Sequence, residues 1–101
     1  MAPAPVAQPV RREVGSGIFS WDEWLHVGDS LRLSDRELLV VQGIFDDREL
    51  ENIADILGVP TNVVYRTLQR IYIKLQIGSR AELVVRVMSE YVAFAADQPA
   101  W

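Results

Sequence analysis

The sequence predicts an all-α fold, a small bundle of three or four helices with an extra helix on its N-terminal side. Three observations lead there. Serine is followed three residues later by glutamate at Ser20 and Glu23, at Ser34 and Glu37, and at Ser79 and Glu82, the spacing at which the two side chains satisfy orphan amides of a helix start. Apolar residues recur at helical spacing: Leu38, Val41, Ile44 and Phe45; Leu50, Ile53, Ala54 and Leu57; Val64, Leu68, Ile71 and Leu75. No window alternates polar and apolar residues long enough to make a strand, although Val and Ile between 63 and 73 raise the β propensity there.

The elements follow in order. Residues 1–17 combine proline, alanine and glycine without an apolar period and are expected to form a flexible arm, with Arg11 and Arg12 solvated in it. An N-terminal unit over 18–30 holds a short helix at about 21–27 that ends near Gly28. The main unit spans 31–96, with helices at about 35–45, 47–57, 61–76 and 80–95, and a tail follows over 97–101. Asp46 and Glu49 repeat the capping spacing in weaker form, so Asp46 or Asp47 is expected to cap the second of these helices and complement its dipole. Gly58 stands where a left-handed C-cap is wanted, and Pro60 bars Val59 from continuing the helix. Gly78 is expected to stop the next helix in the same way. Two helices joined by so sharp a turn make a helix-turn-helix.

Composition narrows the function. The chain has 101 residues, half of them apolar and 24% charged, which suits one small domain. A helical domain this small buries a modest share of its surface and gains stability by dimerising. It contains no cysteine, which excludes disulfides, thiol catalysis and thiolate metal ligation. Apolar runs are broken by charge before the roughly 18 residues of a membrane span, and the N-terminal stretch lacks the apolar centre of a signal peptide. A cytoplasmic protein without a membrane partner is expected. His26 is the sole histidine, with no nucleophile or second ligand in reach of it by spacing, so neither an enzyme nor a metal or cofactor site is expected.

The formal net charge is −4, but its distribution is uneven. Between Pro60 and Arg80 the charged residues are Arg66, Arg70, Lys74 and Arg80, with no acid. The preceding stretch from Leu33 to Val59 holds Asp35, Glu37, Asp46, Asp47, Glu49, Glu51 and Asp55 against Arg36 and Arg48. A purely basic helix beside an acidic one suits a phosphate-facing element, because duplex affinity rests on Lys and Arg, and taken alone equally describes the solvated face of an ordinary helix.

Three stretches, Leu33-Ser-Asp-Arg-Glu-Leu-Leu-Val-Val, Asn52-Ile-Ala-Asp-Ile-Leu-Gly-Val and Arg70-Ile-Tyr-Ile-Lys-Leu-Gln-Ile-Gly-Ser-Arg80, together resemble the LuxR-type (GerE-like) helix-turn-helix domain without a gap. Leu33, Arg36, Glu37, Ile53, Ala54, Leu57, Val59, Val64, Ile71, Lys74, Leu75, Ile77, Ser79 and Arg80 occupy matching positions, and the likeness runs from about Leu33 to about Phe94. It implies a winged-helix-like DNA-binding bundle without a wing and a transcription regulator that dimerises through the helix at 80–95. The chain departs from the family at Pro60, usually Ser or Thr; at Val63, usually Thr; at Thr67, often His; and at Asp47, usually Gly. Loss of a hydroxyl at Val63 and of a ring donor at Thr67 removes phosphate contacts that the resemblance would otherwise imply.

With Val64, Leu68, Ile71 and Leu75 inward, the opposite side of the 61–76 helix carries Asn62, Tyr65, Arg66, Gln69 and, further round, Arg70 and Ile73. Side-chain chemistry then assigns roles in a major groove. Arg66 suits a bidentate contact to guanine, Gln69 or Asn62 to adenine, and Tyr65 a thymine methyl or a phosphate. Thr61, Arg70 and Lys74 are expected on phosphates, which position without specifying. Arg80 fits a phosphate or an ion pair equally. Glu37 closes a capping box, and Arg36 is expected to pair with an acid of the neighbouring helix.

The helix at 80–95 is apolar round more of its circumference than one packing face requires. Phe19, Trp21, Trp24 and Leu25 are expected to fold back over the surplus, and a homodimer partner is the other cover. Double-stranded DNA and, secondarily, RNA polymerase are the expected partners. A rival reading is a helix-turn-helix repurposed to bind a protein, with little DNA binding; a third, a sigma-factor region 4-like fragment, fits the spacing less well.

Overall fold

The structure, a computed structural model, describes residues 19–97. Five helices follow in order: α1 Trp21–Ser30, α2 Asp35–Phe45, α3 Leu50–Leu57, α4 Thr61–Leu75 and α5 Arg80–Ala96, with no strand among the described residues. The expected arm over 1–17 with Arg11 and Arg12, and the tail beyond Asp97, lie outside the described residues.

Serine capping starts three of the helices. At Ser20 and at Ser34 the box is complete: each serine Oγ accepts the glutamate amide at 3.2 Å, and each glutamate Oε1 accepts the serine amide at 2.8 Å. At Ser79 half of it forms. The Glu82 amide donates to Oγ at 3.1 Å, while the Glu82 carboxylate accepts the Gly78 amide at 2.7 Å instead of the cap's own. The expected start at Asp46 or Asp47 is corrected: α3 begins at Leu50 behind an N-cap Glu49 that makes no side-chain bond. Asp46 and Asp47 are consumed in ending α2.

The first four helices end by one device, in which the amide beyond a left-handed residue reaches back five residues along the turn. The bonds are Leu33 to the Gly28 carbonyl (2.8 Å), Arg48 to Gly43 (3.0 Å), Val59 to Ala54 (3.1 Å) and Ile77 to Tyr72 (3.0 Å). The left-handed residues are Arg32, Asp47, Gly58 and Gln76, with φ of 59°, 58°, 71° and 59°. Only Gly58 adopts that conformation without a Cβ penalty. Asp47 thus sits in the backbone state for which the resembled domain usually carries glycine. Two expectations change accordingly: Gly28 lies inside α1, which runs on to Ser30, and Gln76 rather than Gly78 turns the chain after α4.

The inward stripes meet in one core. Leu38, Val41 and Ile44 of α2, Ile53 and Ala54 of α3, and Val64, Leu68, Ile71 and Leu75 of α4 are all buried, as are Leu83 and Val87 of α5. Burying a side chain of this size contributes roughly 1.5–3 kcal/mol. The α2–α3 contact is close enough to need glycine, since a Cβ on Gly43 would stand 2.6 Å from Ile53 Cγ1. α1 packs on its own bundle. Phe19 and Trp24 are buried against Phe45 and Tyr91, with Phe19 stacked on Tyr91 at 4.4 Å between ring centroids. Trp21 and Leu25, expected to join them, remain about half exposed.

Candidate nucleic-acid interface

The turn between α3 and α4 sets the geometry of the site. Gly58 reverses the chain, Val59 N–H closes on the Ala54 carbonyl, and extended Pro60 (ψ 152°) launches α4. Proline has no side-chain acceptor, so α4 starts without a side-chain cap and with no acid in its first turn. Its positive dipole end stays open for an anion.

Packing of Val64, Leu68, Ile71 and Leu75 against the bundle leaves the opposite side of α4 in solvent. Asn62, Tyr65, Arg66, Gln69 and Arg70 are exposed on that side, and Thr61 is exposed at the helix start. Asn62, Arg66, Gln69 and Ile73 form its central ridge at spacings of four, three and four residues, with Tyr65 and Arg70 on the flanks. Ile73 is 77% exposed, the most exposed of the large hydrophobic residues. The periodicity had placed Ile73 on this face without assigning it a contact.

Lys74 is held elsewhere. It lies roughly 100° round the helix from that ridge, and its ammonium donates to Glu37 Oε1 at 2.6 Å and to the Arg32 carbonyl at 2.9 Å. Burial pushes the Glu37 carboxyl up, but the Lys74 hydrogen bond, the Ser34 amide and the Lys74 charge outweigh it and hold the group below its ordinary value of 4.5. Nearby, Arg86 donates to the Leu75 carbonyl at 3.0 Å. Lys74 and Arg86 therefore supply positive charge and donors where α4 ends, complementing the negative end of its dipole. The signal for Lys74 was its place near Thr67 on the helix wheel, but its partner Glu37 is distant in sequence.

Thr67 is buried, 3% exposed, and its hydroxyl donates to the Val63 carbonyl at 2.8 Å inside the same helix. Arg36 and Arg80 are exposed and make no ion pair among the described residues, so the pairing expected of Arg36 does not form. On this exposed face the cations of α4 without an ion pair among the described residues are Arg66 and Arg70. No helix among the described residues is long and apolar enough to cross a membrane.

Residues 31–87, which contain the whole of α2, α3 and α4 and the first half of α5, match the family model described as bacterial regulatory proteins, luxR family. No curated protein and no solved structure matches the chain.

Proposed function

This chain belongs to the luxR family of bacterial regulatory proteins and carries its helix-turn-helix DNA-binding domain, and we propose that it regulates transcription by seating α4 in the major groove of specific DNA sites. One observation carries the reading. α4 turns a continuous polar face, Asn62, Tyr65, Arg66, Gln69 and Arg70, to solvent, behind an N-terminus without acid or side-chain cap. Arg66, Gln69 and Asn62 read base edges, and Thr61 with the open amides of the first turn holds phosphate. Arg70 also lies on phosphate. Lys74 acts from behind, fixing the far end of α4 to α2 and to the turn after α1.

The protein works as a dimer through α5. Val85 and Val92 are 64% and 59% exposed there and border shallow apolar grooves with Val84, Met88 and Ser89. A two-fold pair would present two copies of α4 to half-sites about one DNA turn apart. Its site of action is the cytoplasm, and no catalytic role is assigned.

A second reading has one observation in its favour. With Lys74 bonded to Glu37 and the Thr67 hydroxyl turned inward, few donors on α4 remain for phosphate, and the net charge is −4. On that reading the exposed face binds a protein such as RNA polymerase. Selection from a random duplex library at about 0.1 M salt, near one Debye length of 10 Å, separates the two. Enrichment of a palindromic motif that Arg66→Ala fails to enrich supports the first. Absence of any enrichment, with binding indifferent to salt, supports the second.

A further inference from the structure

α1 lies outside the matched residues 31–87, and so does α5 from Met88 onward. These two pieces pack on each other: Phe19 stacks on Tyr91, and His26 lies over Phe94 at 3.9 Å between centroids. The other neighbour of α1 is α2. There Leu38 closes on Gly28, and Phe45 meets Trp24 edge to face at 5.1 Å. Leu38, Gln42 and Phe45 share one ridge of α2, spaced by four and then three residues, so Gln42 stands on the ridge that α1 covers, between its two contacts.

Gln42 is fully buried, and neither Nε2 nor Oε1 has a hydrogen-bond partner among the described residues. A primary amide taken out of water without a partner opposes the event that buries it, by a factor on the order of ten or more. Lifting α1 returns this ridge to solvent while leaving the faces of α2 that pack on α3 and α4 untouched. On that placement the penalty opposes the docking of α1.

We propose that α1 is a detachable brace on the DNA-binding domain, seated by Phe19 and Trp24 and kept reversible by the buried amide of Gln42. Its release has a defined mechanical consequence. The turn after α1 is tied to α4 through the Arg32 carbonyl and Lys74 at 2.9 Å, and the end of α1 is tied to α5 through the Ser30 hydroxyl and Glu90. Undocking loosens both ties at once. It also uncovers the aromatic rings of Phe45 and Tyr91, which makes the brace a point at which a partner or a change of conditions can act on the domain.

Residue-resolved native-state hydrogen exchange on the full chain tests this. In the unaltered protein the α1 amides from Trp24 to Ser30 are expected to exchange through an opening at least tenfold more populated than the one that exposes Leu68 and Ile71 of α4. Gln42→Met, of similar length without the amide, is expected to slow α1 exchange tenfold or more. Trp24→Ala is expected to strip protection from α1 while the slowest α4 amides stay protected. A single opening shared by α1 and α4 in the unaltered protein would overturn the proposal. So would α1 exchange that Gln42→Met leaves unchanged or speeds up, or loss of α4 protection along with that of α1 in Trp24→Ala.

Discussion

Replacing Lys74 by alanine separates a structural tie from a groove contact. The Lys74 ammonium stands 2.6 Å from a Glu37 carboxylate whose side chain is 4% exposed, while its own side chain is 34% exposed. Stranding one member of a fully buried pair costs about 3–5 kcal/mol. Here one partner reaches water and Glu37 keeps the Ser34 amide, so about 1–3 kcal/mol is expected. In a domain of this size that lowers Tm by roughly 5–20 °C. Arg70→Ala, on the same helix but solvated, should cost under about 0.5 kcal/mol. Urea denaturation with unchanged slope gives both values, and a double-mutant cycle with Glu37→Gln isolates the pair.

The pair also has a pH signature. The folded Glu37 carboxyl lies below its ordinary 4.5, so on acidification the unfolded chain takes up the proton first. The contribution is whole above about pH 4.5, declines as pH falls below it, and is gone once the folded carboxyl protonates. Lys74→Ala should therefore flatten the acid limb of the stability curve. A Lys74→Ala protein as stable as Arg70→Ala, with no coupling to Glu37→Gln and an unchanged acid limb, would refute the tie and return Lys74 to the DNA surface.

Three further outcomes are expected. Gly43→Ala should destabilise by about 1–3 kcal/mol in thermal melts, since the new Cβ must displace buried Ile53 from 2.6 Å. Gln76→Gly should raise stability by about 0.5–1 kcal/mol, because it relieves a Cβ at φ 59°; the same denaturation assay reads it. In binding titrations against a selected duplex, Arg66→Ala should relax base preference, whereas Arg70→Ala should weaken all sequences alike and reduce the log–log salt slope by about 0.9.

Local physics explains what could be read from the amino-acid order. A serine cap and its glutamate lie three residues apart, so Ser20, Ser34 and Ser79 announce their helices without reference to the rest of the chain. The inward stripe of α4 repeats within each turn, which is why its exposed face was legible down to single residues. Gly58 and Pro60 marked the central turn for the same reason. Helix ends without glycine left no such mark: Arg32, Asp47 and Gln76 adopt left-handed backbone with side chains that do not announce it. α3 starts at Leu50 because Asp46 and Asp47 are already spent on ending α2, a competition between two elements that spacing cannot weigh.

Long-range partners account for the remainder. Lys74 reads as one more cation on a basic helix until folding brings Glu37 and the Arg32 carbonyl to it. Thr67 reads as a phosphate-contact position that has lost its ring donor until its burial turns the hydroxyl on the Val63 carbonyl. Gly28 reads as a stop, yet its missing side chain lets α1 approach Leu38. In each case a residue's chemistry was visible and its neighbour was not.

Chemical-shift mapping of the full chain titrated with a selected duplex tests the central claim most directly. The account predicts that amide perturbations concentrate on the exposed face of α4, from Thr61 through Arg70, and fade toward Lys74. Perturbations centred on α5 or on the acidic face of α3, with α4 unmoved, would contradict it.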